Sequence, residues 1–176
     1  MSKTIRFSLS QKSIQQAITE LQAYKLDVIA KKNELARRLA ERGVEVAKAQ
    51  VYDLDAVFTT ELFHSISSES QGVLNGNAIF VVKADSEHAI FVELGTGYEG
   101  EQSPYQFELP EGVDNWKYGD GKTIRHLTDG TYGWFYPTKD GKYLFTKGMP
   151  SRPFMHNTAM ELYRITAEVA KEVFSA

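Results

Sequence analysis

The chain has 176 residues, a formal net charge of −3 at pH 7 and 42% hydrophobic residues, enough to form a hydrophobic core. A chain of this length typically forms one domain. It contains no cysteine, which excludes disulfides and thiolate metal sites. It also lacks an apolar run close to the roughly 18 residues that span a membrane, and its N-terminus lacks a secretory signal. We therefore expect a protein made in a reducing cytoplasm, with no membrane partner.

The first predicted elements are a short strand at Thr4–Leu9 and a long amphipathic helix over residues 10–48. Ser10 is a suitable N-cap, and apolar side chains then recur at helical spacing from Ile14 to Val46. Such a helix would be roughly 55 Å long, whereas a compact domain of this size is roughly 40 Å across. We therefore expect the helix to bend, to break at Gly43, or to project and need another subunit to cover its apolar stripe.

Charge is unevenly distributed along the chain. Residues 25–48 carry seven basic and four acidic side chains, whereas residues 85–120 carry nine acids against Lys117 alone. Two solvated faces would explain this distribution. The alternative is head-to-tail charge complementarity between neighbouring subunits, which would fix their register.

The middle of the chain has β character. We predict strands at Leu62–Ser70 and Asn77–Ala84, joined by a turn at Asn75–Gly76, because Asn-Gly favours hairpin turns. The apolar segment Ile79–Val82 predicts a central strand covered on both faces.

Residues 98–148 are predicted to form a long loop and an aromatic hairpin insertion. The hairpin would pair 134–136 with 143–145, and a further strand is possible at Tyr105–Leu109. Cross-strand packing is the preferred explanation for the aromatic residues, and a recognition surface is the alternative. A proline-stiffened elbow at 149–153 then leads into a C-terminal helix over 153–174.

The segment His88–Gly97 places one carboxylate, Glu93, in an apolar run that ends in two glycines. A buried carboxylate must be paired or hydrogen-bonded, and Arg152 is the candidate partner because an Arg–carboxylate pair can be bidentate. Gly95-Thr96-Gly97 lacks the Lys-Ser/Thr ending of a phosphate-binding loop. We therefore predict a fixed structural corner. Its residues are Glu93, Gly95, Thr96, Gly97, Arg152, Pro153 and Phe154.

Signatures of catalysis are weak. His64, His88, His126 and His156 are not spaced as a helical metal pair, and the serines form no Gly-x-Ser-x-Gly elbow. We expect no catalytic, cofactor or metal residues, and therefore no enzyme. Two other readings stay open. Glu93 could centre a small hydrolase or binding module, since burial raises the pKa of a carboxyl group, or the aromatic hairpin could bind one partner.

Two segments together carry a family resemblance. Ala89–Gly97, followed by Pro150–Met155 and a C-terminal helix, resembles the gp-ten-like tail-component family of long-tailed bacteriophages. The similarity runs from about Ser13 to Phe174 and includes Gly43–Lys48. The chain departs from the family at 55–62, where many relatives carry Pro-x-Asp-Thr-Gly-x-Leu, and in a longer 98–147 segment.

The resemblance implies a single α+β domain over 1–176, with a long N-terminal helix, a small mostly antiparallel sheet and a closing C-terminal helix. It implies a structural protein of a phage or prophage virion, made in the bacterial host cytoplasm. Such a protein would form a ring in the head–tail connector, or neck, and complete or join the tail. A tail-terminator-like subunit is the alternative. The implied partners are further copies of the chain, other neck and tail proteins, and DNA that passes without sequence recognition.

Overall fold

The computed structural model describes residues 4–56, 60–119, 123–138 and 140–175. The predicted α+β class is confirmed, with a long N-terminal helix, small sheets and a C-terminal helix. Val57–Thr59 of the segment that departs from the family, and Asp120 of the acidic stretch, lie outside the described residues. In the described ranges, no helix has the length and apolar character needed to cross a membrane.

Five helices and six strands are defined in these ranges. The N-terminal half contains α1 (Gln11–Asp53), α2 (Thr60–Ser65), β1 (Ile66–Leu74) and β2 (Asn77–Ala84). The C-terminal half contains α3 (Ala89–Leu94), α4 (Gly97–Gln102), β3 (Arg125–His126), β4 (Tyr132–Pro137), β5 (Tyr143–Thr146), β6 (Gly148–Met149) and α5 (Phe154–Ser175).

The chain divides into two compact units. The first unit consists of Met1–Val46, Ser67–Lys83 and Ala159–Ala176, and the second of Ala47–Ile66 and Ala84–Thr158. Both α1 and α5 therefore contribute residues to each unit. The second unit holds most of the buried apolar residues that the structure describes. They are Ala47, Val51, Ala56, Leu62, Ile66, Val92, Leu94 and Phe154.

Helix α1 is continuous for 43 residues, which corresponds to roughly 65 Å. Ser10 precedes it, and its hydroxyl accepts a hydrogen bond from the Ser13 N–H at 3.3 Å, as an N-cap does. The predicted break at Gly43 is wrong, because the helix runs through it to Asp53. Gly43 is instead a notch for close packing. A Cβ at this position would lie 2.8 Å from Val82 Cγ2 and 3.0 Å from Leu162 Cδ1.

Strands β1 and β2 form the predicted hairpin, with positive φ angles of 52° at Asn75 and 76° at Gly76. Positive φ at both central residues is what a type I′ turn requires. The prediction that Ile79–Val82 is a central strand covered on both faces is wrong. Among the described residues the sheet consists of β1 and β2 alone, and Ile79 and Val81 are 36% and 37% exposed.

Three other predicted strand segments differ from the structure. Residues 4–9 form no strand. The segment predicted as a strand from Leu62 starts in helix α2, where Leu62 is buried, and strand β1 begins only at Ile66. Tyr105–Leu109 is not a strand either, because the Tyr105 N–H donates to the Tyr118 hydroxyl at 3.1 Å instead of to a neighbouring strand.

The predicted aromatic hairpin is present as β4 and β5, in an antiparallel β3–β4–β5 sheet. Phe135 lies opposite Phe145, with ring centroids 5.3 Å apart, so cross-strand packing accounts for this pair. Helix α5 begins at Phe154, one residue after the predicted start, and extends to Ser175.

We expect Gly43→Leu to destabilise the protein by about 1–3 kcal/mol, the usual cost of overpacking a well-filled site. Urea unfolding would measure this change in free energy. Ala49→Leu is the matched control, because Ala49 is an exposed position of the same helix and should accept leucine at little cost. Equal stability of the two variants would show that Gly43 is not a packing notch.

Candidate functional site

Glu93 lies near the C-terminal end of α3 and is buried, with 5% of its surface exposed. One carboxylate oxygen, Oε2, accepts a hydrogen bond from the Met155 N–H at 2.9 Å. The other, Oε1, accepts one from the His156 N–H at 3.0 Å. The carboxylate is therefore bound bidentately by the main chain of the first turn of α5, 62 and 63 residues further along the sequence.

This interaction caps α5 from a distant segment. The first N–H groups of a helix have no partner within the helix, and the helix dipole favours negative charge there. Glu93 supplies both the acceptors and the charge. The predicted pairing with the Arg152 guanidinium is wrong, because the ion pairs among the described residues do not include it and main-chain N–H groups occupy both oxygens.

Arg152 does lie at the corner, but it contributes through its main chain. Its N–H donates to the Val92 carbonyl at 2.9 Å. Next to it, the Ser151 hydroxyl donates to the Glu93 carbonyl at 2.7 Å. Pro153 immediately precedes α5, and the Phe154 side chain is fully buried. The elbow is thus joined to the end of α3 by both main-chain and side-chain hydrogen bonds.

Gly95, Thr96 and Gly97 run alongside the segment that leads into the elbow. Thr96 bridges to Met149, and Gly97 bridges to Gly148, in antiparallel pairs. Gly95 has a φ of 81°, and a Cβ there would lie 2.7 Å from the Ser151 nitrogen. Only glycine suits this position, because it combines a left-handed conformation with contact against another main chain. The structure therefore brings all seven residues of the predicted corner together.

Two aromatic residues from the long loop also brace the corner. The Trp116 indole N–H donates to the Gly95 carbonyl at 3.0 Å, and the Gly97 N–H donates to the Tyr118 carbonyl at 2.7 Å. Sequence reasoning missed both residues because it treated 98–148 as an insertion. The signal was present: large aromatic side chains in a polar loop usually mark a packed segment.

Burial raises the pKa of Glu93 above its ordinary value of 4.5, and the N–H groups of Met155 and His156 oppose that rise. The pKa of Tyr105 is raised as well, first by burial and then by the negative charge of Glu93 nearby. The imidazole ring of His156 stacks on Phe107, with ring centroids 3.6 Å apart. The surroundings of Glu93 are therefore aromatic side chains and helix main chain.

This arrangement suits a structural role for Glu93. A general acid or base needs an oxygen that can reach a substrate, but both Glu93 oxygens are held by the main chain. Within the described ranges, no three histidine, aspartate or glutamate side chains are grouped to hold a metal. The four histidines lie on separate elements: His64 in α2, His88 before α3, His126 in β3 and His156 in α5.

The three arginines of α1 form ion pairs with glutamates of the same helix. Arg37 bonds to Glu34 and Glu41, Arg38 bonds to Glu34, and Arg42 bonds to Glu45 at 3.0 Å. Because three glutamates neutralise the three arginines, the excess positive charge of residues 25–48, seven basic against four acidic side chains, is carried by lysines.

Comparisons of the chain with protein-family models, with curated proteins and with solved structures find no match.

We expect Glu93→Gln to lower the free energy of unfolding by about 1–3 kcal/mol, because the amide keeps one acceptor and leaves one buried N–H without a partner. Thermal or urea unfolding would measure the loss. Glu99→Gln is the control, since Glu99 is an exposed acid of the neighbouring helix. Equal stability of Glu93→Gln and wild type would contradict the capping role.

The same variant gives a pH dependence. Since the folded pKa of Glu93 is raised, the folded protein holds more protons than the unfolded chain between pH 4.5 and the folded pKa. The contribution of Glu93 to stability therefore falls as pH rises through that window. The stability difference between wild type and Glu93→Gln should be largest below pH 4.5 and should shrink above it. A difference that grows with pH would indicate a lowered pKa.

Gly95→Ala should cost more stability than Gly112→Ala. Both glycines have positive φ angles, 81° and 84°, and the ψ of 166° at Gly95 completes a conformation that essentially only glycine adopts. A Cβ at Gly112 would meet nothing within 4 Å, whereas one at Gly95 would press on main-chain atoms. The difference between the two melting temperatures measures the combined cost of the Gly95 conformation and of that contact, and equal losses would argue against a tightly braced corner.

Proposed function

We propose that this protein is a structural subunit of a bacteriophage or prophage virion. In this proposal it forms a ring in the neck that completes the tail or joins it to the head. The observation that carries the building-block part of the proposal is an exposed apolar stripe on α1. Ile14, Ile18 and Leu21 are 39%, 41% and 55% exposed, at spacings of four and three residues. Such a stripe in a stable helix is typical of a surface that a partner covers.

The assignment to a phage neck rests on the resemblance of Ala89–Gly97 and Pro150–Met155. In the structure these two parts of the chain contact each other. Glu93 accepts hydrogen bonds from the first turn of α5, and Thr96 and Gly97 form β-bridges to Met149 and Gly148. A rigid corner of this kind suits a subunit that must keep its shape under load. Because each Glu93 oxygen accepts a main-chain N–H, we favour this structural role over the hydrolase alternative.

The pairing of the α1 arginines bears on the partners we propose. Charge complementarity between the basic and acidic stretches would depend on the lysines of α1, because its three guanidinium groups already contact carboxylates. The exposed acids of the second unit, Glu99, Glu108, Glu111 and Asp114, would repel phosphate. A surface of that sign fits DNA that passes without binding.

Deletion of the gene from its phage genome tests this function. We expect DNA-filled heads and separate tails of normal length, and purified protein added to the lysate should restore joined particles. Glu99→Gln protein should restore joining as well as wild type does. The gene should lie between capsid and tail-tube genes.

Two results would contradict head–tail joining. Tails of abnormal, unregulated length after deletion would instead indicate the tail-terminator alternative. A gene that lies outside any phage or prophage cluster would remove the virion assignment altogether.

A further inference from the structure

We infer that the exposed stripe of α1 docks onto the outer face of the β1–β2 hairpin of a second copy of this chain. This inference rests on the proposed ring and identifies the two surfaces that would build it. Both surfaces belong to the first unit. We call Ile14, Ile18 and Leu21 the helix stripe, and Ile79 and Val81 the hairpin face.

The helix stripe continues a face of α1 that is covered further along. At about 100° per residue, Ile14, Ile18 and Leu21 all point within about 40° of the direction of Gly43. At Gly43 that face packs against Val82 of β2, which is why no side chain fits there. The same helix face thus meets a hairpin within one copy and is exposed nearer its N-terminus.

The chain's own hairpin turn meets α1 at Lys32 and Asn33. The Lys32 ammonium donates to the Gly76 carbonyl at 3.1 Å, and Asn33 Oδ1 accepts from the Ala78 N–H at 3.1 Å. Gly76 belongs to the turn itself, so α1 passes the end of the hairpin there. The helix stripe lies about three to five further turns towards the N-terminus, where Leu21 is 55% exposed.

The hairpin has a second apolar face that the first unit leaves exposed. Ile79 and Val81 alternate with the more buried Ala78, Phe80 and Val82, so the two sets point to opposite sides of β2. Val73 and Leu74 add exposed apolar surface beside the turn. This second face can take a helix as the first one does, because it presents side chains of the same type.

Two different apolar patches on one subunit predict a heterologous contact. A head-to-tail contact of this kind generates a closed ring when the rotation closes, whereas two copies of one patch would give a two-fold dimer. The helix stripe and the hairpin face differ in shape, one a convex helix and the other a flat strand pair. Each can therefore be the other's partner in the next copy.

The charges in these segments favour protein over nucleic acid as the occupant. Residues 11–26 carry Lys12, Glu20 and Lys25, and β1 and β2 together carry Glu69 and Lys83. Glu69 and Lys83 pair with each other at 2.9 Å. A phosphate backbone needs a cluster of cations, whereas an apolar face of low net charge suits burial against another apolar face.

Disulfide trapping tests this contact, because the wild-type chain contains no cysteine. Ile18→Cys and Val81→Cys proteins would be mixed at high concentration and oxidised. We expect a cross-linked dimer containing one of each variant, at least fivefold above a Gln16→Cys plus Val81→Cys mixture. Gln16 is the matched control because it is exposed on the opposite face of the same helical turn. Unchanged melting temperatures would show that each variant folds.

Two outcomes would overturn the inference. Ile18→Cys dimers that dominate without Val81→Cys would indicate a symmetric pairing of helices. Cross-linking no stronger than in the Gln16→Cys mixture, at every concentration up to the solubility limit, would show that the two surfaces do not meet. In either case, gene deletion with normal-length separate tails would leave the neck function standing and remove only this docking mode.

Discussion

The corner of the second unit depends on one interaction, the binding of the Glu93 carboxylate by the first main-chain N–H groups of α5. It joins segments more than sixty residues apart. Burial of a carboxylate is costly unless its oxygens accept hydrogen bonds. The first N–H groups of a helix have no acceptor within the helix, so each group supplies what the other lacks. The glycines beside Glu93 then allow the two main chains to approach closely enough for both bonds to form.

Helix α1 divides its apolar surface between two purposes. Its buried positions, Ala17, Ala40, Gly43, Ala47 and Val51, are small or medium-sized and allow neighbouring elements to pack closely. The larger residues near its N-terminus, from Ile14 to Leu26, are exposed. Small residues at the contact and large ones outside it are unusual for a helix that serves only its own core. The pattern is consistent with our proposal that another copy of the chain covers the first turns of α1.

Much of the fold could be predicted from the sequence, because helical spacing, the Asn75–Gly76 turn and the aromatic hairpin are local signals. The corner residues could also be selected, since a carboxylate in an apolar run must find donors. The donors themselves could not be identified from the sequence, because a guanidinium and two helix N–H groups can each supply the two hydrogen bonds that a buried carboxylate needs. Likewise, the apolar segment Ile79–Val82 was predicted to be a central strand, because its composition does not reveal how many strands the sheet contains.

Hydrogen exchange measured on free and assembled protein tests the central claim most directly. Amides from the first turns of α1, where Ile14, Ile18 and Leu21 are exposed, should exchange quickly in dilute protein and slowly in the assembly that we propose. Amides of Met155 and His156, bound to Glu93, should exchange slowly in both. Slow exchange throughout residues 11–26 in a strictly monomeric sample would contradict the account, because the stripe would then be sheltered within a single copy.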